Sequence, residues 1–291
     1  MPSTASRDLR YHLVNVFTRG GRLTGNPLCV FDDGSGLDDA TMQALARQFN
    51  LSETTFILPS SRATRRVRIF TPDFEMPFAG HPTLGTAHVV RSLQAVPMDG
   101  LTLELQAGII PVQAEGDLWT LTAKRATHRE IELPVAHLAA ALGLRTSDLL
   151  AEGDGRRPLW VDAGSDQLIV PLVDVAAVNR VAPDAAKLAR LRSAQGRQLA
   201  YVFAEDGEDG VIARFLFEAG GAFREDPATG SACANLGGWY LATGASLPLS
   251  RRVHQGERVG RPSELLLSID PSRTVRVGGA VIAVGQGTVT L

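Results

Sequence analysis

DPATGSAC, residues 226–233, is the most informative stretch of this chain. It places an acid, Asp226, directly before a turn of small residues that opens an apolar helix. A helix that begins at Gly230 directs several unpaired backbone N–H groups toward one point, which suits a carboxylate or a developing oxyanion. Because Asp226 and the Ser231 hydroxyl would lie at the rim of this point, the stretch predicts a pocket that holds an anion.

A second stretch of the same kind, FAGHPTLGTAH at 78–88, lies in the first half of the chain. In both halves, strands come first, then a turn with glycine and an acid or a histidine, and then a helix rich in alanine and glycine. Small residues on a helix allow strands to wrap closely around it. We therefore expect an α+β protein with two similar domains, 1–125 and 126–276, and we expect 277–291 to return to the first domain.

Hydrophobic periodicity locates the helices. Apolar residues at helical spacing follow Asp38 and Asp39, which predicts a helix from about 38 to 49. Further helices are predicted from Gly80 to about 92, over 134–150 with a break at Gly143, and from Gly230 to about 242. No Gly-x-Gly-x-x-Gly motif opens a helix after the first strand, which argues against a Rossmann fold.

The composition limits the classes of partner. The chain has 291 residues, 44% of them hydrophobic, and its 29 basic and 31 acidic residues give a formal charge of −2. Interspersed charges do not favour nucleic acid or an anionic membrane surface. No apolar run is long enough to span a bilayer, and the first ten residues lack the apolar core of a signal peptide. We expect a cytoplasmic protein.

The metal-binding residue types are few and scattered. Two cysteines, Cys29 and Cys233, rule out a disulfide framework and a zinc site built from cysteine. Cys29 lies in an apolar run and is interpreted as a core residue, and Cys233 as a packed thiol on the first turn of a helix. The histidines lack the spacing of metal ligands, so no metal is expected.

Three polar residues in apolar surroundings are candidates for proton chemistry. Glu53 lies between an amphipathic helix and an apolar strand, where partial desolvation disfavours a charged carboxylate, so it could take and return a proton. The alternative is an ordinary cap or surface acid. His81 could donate or accept a proton at a helix start, or be a polar residue at a solvated helix end. Asp226 could equally be an N-cap for the helix that follows.

Six motifs in order resemble the PhzF-like proteins of phenazine biosynthesis, and they extend over nearly the whole chain. They are Phe17-Thr18 with Gly25-Asn26-Pro27, Ser52-Glu53-Thr54-Thr55-Phe56, Phe70-Thr71-Pro72 with Glu75, Gly80-His81-Pro82-Thr83-Leu84-Gly85, Asp226-Pro227-Ala228-Thr229-Gly230-Ser231-Ala232, and Gln255-Gly256 with Gly260-Arg261-Pro262-Ser263. The resemblance implies the diaminopimelate epimerase-like fold, in which each of two α+β domains is a curved, mostly antiparallel sheet wrapped around a central helix. It also implies a homodimer.

For activity, the resemblance implies a cofactor-free isomerisation in which a glutamate moves a proton between carbons of the substrate. Glu53 matches that glutamate, and His81 and Asp226 match the residues that bind and polarise the substrate. Ser231 matches the serine beside the substrate carboxylate.

Gly80 and Gly230 match the backbone donors at the two helix starts. The related epimerases and racemases use one cysteine at each helix start. Because Gly80 and Thr229 occupy about those places here, racemisation by two thiols is not expected.

The sequence therefore favours a cofactor-independent isomerase that acts by proton transfer on a small carboxylate. A non-catalytic protein that binds or senses a small acid on the same fold is the alternative. A third reading is a hydrolase that uses Ser231, but Ser231 does not lie in the Gly-x-Ser-x-Gly elbow of such enzymes.

Overall fold

The computed structural model describes residues 6–94, 99–150, 155–188 and 190–291. The first five residues of the segment that we searched for a signal peptide lie outside these ranges. The chain divides into two compact units. One unit contains Met1–Leu121 and Gly278–Leu291, and the other contains Thr122–Val277.

Both units combine strands with helices. The helices are α1 (Asp39–Phe49), α2 (Gly80–Ser92), α3 (Val135–Ala141), α4 (Val175–Arg180), α5 (Ala185–Leu188) and α6 (Gly230–Ala242). The strands are β1 (Asp8–Val16), β2 (Asn26–Phe31), β3 (Glu53–Leu58), β4 (Arg65–Phe70), β5 (Glu75–Met76), β6 (Gly100–Leu105), β7 (Gly108–Glu115), β8 (Leu118–Thr122), β9 (Thr127–Glu130), β10 (Leu159–Asp162), β11 (Asp166–Pro171), β12 (Leu199–Asp206), β13 (Gly210–Ala219), β14 (Ala222–Asp226), β15 (Leu249–Gln255), β16 (Ser263–Ile269) and β17 (Val275–Thr290). Two short 3-10 helices cover Thr146–Asp148 and Glu257–Val259.

The first unit is mostly antiparallel. Strand β1 pairs antiparallel with both β2 and β17, β3 pairs antiparallel with β4, and β6 to β8 form a meander. Parallel pairing joins β2 to β3 and β4 to β6. The parallel step from β2 to β3 is bridged by α1, and it places Glu53 opposite Leu28 at the start of β3.

The second unit repeats this mixture of pairings. Strand β10 pairs antiparallel with β9 and β11, β13 does so with β12 and β14, and β15 does so with β16. Parallel pairing joins β11 to β12 and β13 to β15. The predicted α+β plan, with mostly antiparallel strands around one helix in each half, is confirmed.

The central helices α2 and α6 pack directly against strands through glycine. A Cβ added at Gly85 of α2 would lie 2.6 Å from the Leu28 side chain, and one at Gly237 of α6 would lie 2.6 Å from Val275. Contacts this short are sterically forbidden, so only glycine allows the strands to approach so closely. The predicted role of small residues on these helices is confirmed.

The second unit also differs from the sequence-based prediction. The segment 134–150, predicted as a helix with a break at Gly143, forms α3 and the 3-10 helix, and Gly143 adopts a left-handed φ of +70° just after the end of α3. Strands β9, β10, β14, β15 and β16 of this unit were not predicted. The residues of β9 are all polar and exposed, and β9 is a strand because it pairs with β10. Within the described ranges, no helix combines the length and hydropathy needed to cross a bilayer.

Candidate active site

Glu53 and His81 lie side by side in the first unit. Glu53 is the first residue of β3, and His81 is the second residue of α2. Oε2 of Glu53 is 3.3 Å from Nε2 of His81, and the two side chains are only 15% and 6% exposed. The structure thus brings together the two residues that the sequence proposed for proton chemistry in this unit.

Burial keeps the His81 ring neutral. Desolvation lowers the pKa of His81 to about 3, although a hydrogen bond from the ring to the carbonyl of Pro27 acts in the opposite direction. Nε2 forms no hydrogen bond of normal geometry with any described residue, so the nitrogen bound to Pro27 is Nδ1. The Pro27 carbonyl can only accept, so Nδ1 carries the proton and Nε2 presents a lone pair to Glu53.

This tautomer determines how the pair can act. A neutral ring and a carboxyl group do not form an ion pair, although their distance is that of one. A protonated Glu53 carboxyl group can donate a hydrogen bond to Nε2, whereas the carboxylate form would place two lone pairs face to face. The Nε2 lone pair therefore offers an acceptor to Glu53 whenever the carboxyl group carries a proton at Oε2.

Asp226 lies at the end of β14 in the second unit, before the turn that leads into α6. Its Oδ2 accepts a hydrogen bond from the Thr229 hydroxyl. Thr229 is the N-cap residue of α6, and its side chain makes no capping bond to the helix backbone. The N-cap interpretation of Asp226 is therefore wrong, because Thr229 occupies the N-cap position of α6 and the Asp226 carboxylate fixes the Thr229 side chain within the turn.

Gln255 and Gly256 brace this turn from the neighbouring strand. The buried Gln255 amide donates to the Asp226 carbonyl at 2.8 Å and to the Thr229 hydroxyl at 3.0 Å, and it accepts from the Thr229 N–H at 3.3 Å. Gly256 has a φ of +84°, and a Cβ there would lie 2.5 Å from the Pro227 carbonyl oxygen. The turn is held on both sides, so the direction in which α6 begins is fixed.

Ser231, the second residue of α6, is partly exposed and accepts a hydrogen bond from Nε2 of Gln167 at 3.0 Å. A serine nucleophile needs a neighbouring base that removes its proton. The amide nitrogen of Gln167 is a donor and cannot take a proton from the hydroxyl. This partner is unsuited to the hydrolase reading.

The starts of α2 and α6 differ from those of two other helices. Asp38 and Asp174 cap α1 and α4 by accepting from Thr41 and Ala177 N–H groups. By contrast, the N-cap residues of α2 and α6 make no side-chain cap bond. Gly80 and Gly230, the buried first residues of α2 and α6, therefore begin helices whose N–H groups receive no acceptor from the cap side chain.

Both cysteines are buried, as predicted. Each side chain is inaccessible to solvent, and desolvation raises the pKa of both thiols far above the ordinary value. Among the described residues, no group of three histidine, cysteine or acidic side chains is arranged to hold a metal ion.

Four residues around these sites were given no role from the sequence. They are Pro27, Gln167, Asn235 and Gln255. Asn235 is fully buried inside an otherwise apolar helix, and a polar residue in such a run is a signal that could have identified it, because buried amides need partners. The role of Pro27 is carried by its backbone carbonyl, so its side chain gave no signal.

Comparison with known proteins places this geometry in context. The family model described as "Phenazine biosynthesis-like protein" matches residues 14–287. An uncharacterized isomerase of Pasteurella multocida is 40% identical over 282 residues, which cover 95% of this chain and 92% of that protein. The trans-2,3-dihydro-3-hydroxyanthranilate isomerase of Pseudomonas aeruginosa is 35% identical over 264 residues, which cover 88% of each chain.

A solved structure resembles the fold closely. The phenazine biosynthesis protein of the PhzF family from Bacillus anthracis superposes with a TM-score of 0.83, covering 98% of this chain and all of that one, at 22% sequence identity. At that identity the likeness concerns the fold alone, and it confirms the fold that the sequence motifs predicted.

Proposed function

We propose that this chain, which belongs to the family of phenazine biosynthesis-like proteins, is an isomerase that moves a proton on a small carboxylate substrate without a cofactor. The observation that carries the proposal is the buried contact of 3.3 Å between the Glu53 carboxyl group and a neutral His81. A carboxyl group with such a neighbour can take a proton from the substrate and return one to it. The named isomerase relatives support the reaction class.

In this proposal, Glu53 removes a proton from one carbon of the substrate and returns it to another carbon after the double bond has moved. While Glu53 holds the proton, its Oε2–H donates to Nε2 of His81, whose Nδ1–H remains bound to Pro27. One proton leaves the first carbon and one is delivered to the second, so no redox partner or cofactor takes part. The proton held on Glu53 can exchange with solvent between the two steps, which lets deuterium enter the substrate. The proposed mechanism requires no cofactor.

The remaining candidate residues hold the substrate. Gly230 and Ser231 bind its carboxylate through backbone N–H groups and the hydroxyl, and Gly80 provides a corresponding N–H group at the start of α2. Asp226, fixed by Thr229, polarises the substrate where charge develops. The P. aeruginosa relative acts on an amino-substituted ring acid, and its substrate is therefore the first compound to test.

Proton exchange in deuterated water tests the proposal. We would incubate the protein with trans-2,3-dihydro-3-hydroxyanthranilate and with a panel of small carboxylic acids, and measure deuterium incorporation by mass spectrometry. Glu53→Gln should lower the exchange rate by about 100-fold or more, since it removes the proton carrier. Glu132→Gln, which alters an exposed glutamate, is the matched control and should exchange at the wild-type rate.

Two results would contradict this function. Full exchange in Glu53→Gln would remove Glu53 from the mechanism. Tight binding of a small acid with no exchange in the wild type would favour the alternative of a binding or regulatory protein.

We also propose that the enzyme works as a homodimer in the cytoplasm, as the family resemblance implies. Light scattering after size-exclusion chromatography should give twice the 31.0 kDa of one chain. A mass of 31.0 kDa at micromolar concentration would contradict the dimer.

A further inference from the structure

A chain of hydrogen bonds in the second unit ends at Ser231. Asn235 and Ser231 are four residues apart on α6, so they lie on the same face of the helix. Gln167 of β11 lies against this face and bridges the two. Its Oε1 accepts from Nδ2 of Asn235 at 2.8 Å, and its Nε2 donates to Oγ of Ser231 at 3.0 Å.

Two backbone groups set the orientation of Asn235. The Ala163 N–H donates to Oδ1 at 2.8 Å, and the Ser165 carbonyl accepts from Nδ2 at 2.7 Å. A backbone N–H cannot accept and a carbonyl cannot donate, so the Asn235 amide has only one orientation that satisfies both. Its second Nδ2 proton then points to Gln167, which must present Oε1 to Asn235 and Nε2 to Ser231.

The bridge is protected from solvent. Gln167 is 3% exposed and Asn235 is fully buried. Reversing either amide would bury an unsatisfied donor facing a donor, which is costly without water. The backbone of residues 163–165 therefore fixes the orientation of the Asn235 amide, and Asn235 in turn fixes that of Gln167. As a result, Gln167 always presents a donor to Ser231.

Ser231 receives one hydrogen bond and keeps its own proton for another partner. The hydroxyl groups of Thr83 and Thr243 donate back to the carbonyls of Ala79 and Trp239, four residues earlier in their helices. Ser231 makes no such bond, and no side chain or carbonyl in the described part of the chain accepts its proton. Ser231 is partly exposed, so the proton is available to a ligand.

We infer that Gln167 and Asn235 are positioning residues that make Ser231 a hydrogen-bond donor, so that the ligand group held at Ser231 is an acceptor such as an anionic carboxylate oxygen. This inference rests on the proposed function, because it assumes that Ser231 contacts the substrate. It adds the polarity of that contact and the two residues that set it.

The orientation can be measured without any ligand. In the wild-type protein with 15N-labelled glutamine, the side-chain amide protons of Gln167 should show nuclear Overhauser effects to the β protons of Ser231. Such contacts are expected from the Nε2 to Oγ distance of 3.0 Å. Their absence, with the amide protons close to Asn235 instead, would overturn the inference.

The consequence for binding can be tested with anthranilate and its neutral analogue anthranilamide as probes in calorimetry. Gln167→Glu keeps an acceptor for Asn235 but offers a second acceptor to the Ser231 hydroxyl, which turns the proton away from the ligand. We expect anthranilate binding to weaken at least tenfold. Anthranilamide binding should weaken less, because its carbonyl oxygen accepts only a neutral and therefore weaker hydrogen bond from Ser231. Tyr240→Phe removes one hydrogen bond, to Glu205, near the other end of α6. It is the matched control, and it should leave both affinities unchanged.

A double variant separates hydroxyl polarity from simple charge repulsion. If Gln167→Glu acts through the hydroxyl, its effect on anthranilate should largely disappear in a Ser231→Ala background. An equal loss in both backgrounds would overturn the inference. Failure of the wild type to bind either probe would instead count against the carboxylate site of the proposed function, while the nuclear Overhauser measurement would still decide the orientation of Gln167.

Discussion

Acidification should destabilise the folded protein through His81. The ring has a pKa of about 3 when folded and 6.5 as an ordinary histidine. Because the folded pKa is the lower one, the unfolded chain binds more protons between these values, so stability is complete above about pH 6.5 and falls as the pH drops toward 3. We would compare the loss of stability from pH 7 to pH 5 in the wild type with the loss in His81→Asn, whose side-chain amide can still donate to Pro27.

The magnitude follows from proton linkage. At pH 5 nearly every unfolded histidine carries a proton and the folded His81 carries none, so this residue lowers the free energy of unfolding by about 2 kcal/mol relative to pH 7. The figure depends on the ordinary histidine pKa and changes little as long as the folded pKa stays below about 4. His81→Asn lacks this term, so its stability should fall about 2 kcal/mol less over the same interval.

Urea denaturation at pH 7 and pH 5, followed by circular dichroism, measures the difference. His137→Gln is the control, since His137 is exposed, and it should keep the wild-type dependence on pH. NMR of the imidazole nitrogens should also show a neutral His81 ring protonated at Nδ1 throughout this range. Equal losses of stability in the wild type and His81→Asn, or a His81 ring that titrates near pH 6.5, would refute the reasoning.

Three further predictions concern packing and the turn before α6. Gly237→Ala should lower the free energy of unfolding by about 1–3 kcal/mol despite alanine's better helix propensity, because its Cβ would lie 2.6 Å from Val275. Urea denaturation measures this loss, and a variant as stable as the wild type would contradict the close packing. Gln255→Leu removes three hydrogen bonds to the turn before α6. We expect at least a tenfold loss of activity in the deuterium-exchange assay, whereas unchanged exchange would show that these hydrogen bonds are dispensable. Cys29 and Cys233 are buried with raised thiol pKa values, so a thiol reagent such as Ellman's reagent should label them only as fast as the protein unfolds; rapid labelling of the native protein would be inconsistent with their burial.

The central helices could be predicted from the sequence because their signals are local. Helix α2 covers Gly80–Ser92 and α6 covers Gly230–Ala242, as expected from runs of small and apolar residues that follow a glycine. The small residues of such a helix mark the face that packs against strands, since only glycine and alanine let a strand approach the helix closely. The segments that contain Glu53, His81 and Ser231 were singled out by another local signal, which is polar residues in apolar surroundings.

Other features depend on contacts between distant residues and left no local signal. Strand β9 has no alternation, and it is stabilised by its pairing with β10. The Nδ1–H tautomer of His81 depends on a carbonyl 54 positions earlier in the chain, at Pro27. Asp226 resembled an N-cap because it is the acid that precedes α6, but α6 begins at Gly230, and its N-cap residue is Thr229, whose hydroxyl donates to Asp226.

The two candidate sites, each within its own unit, share one feature: backbone groups determine whether a functional side chain donates or accepts a hydrogen bond. At His81, the Pro27 carbonyl determines which ring nitrogen carries the proton, so the nitrogen that faces Glu53 can only accept. At Ser231, the backbone of Ala163 and Ser165 orients Asn235 and then Gln167, so the hydroxyl is left as a donor. Backbone groups cannot exchange donor for acceptor, and burial makes a reversed bond costly. Under the proposed function, each of these side chains would meet the substrate with one defined polarity, which suits an enzyme that holds an anion and moves a single proton.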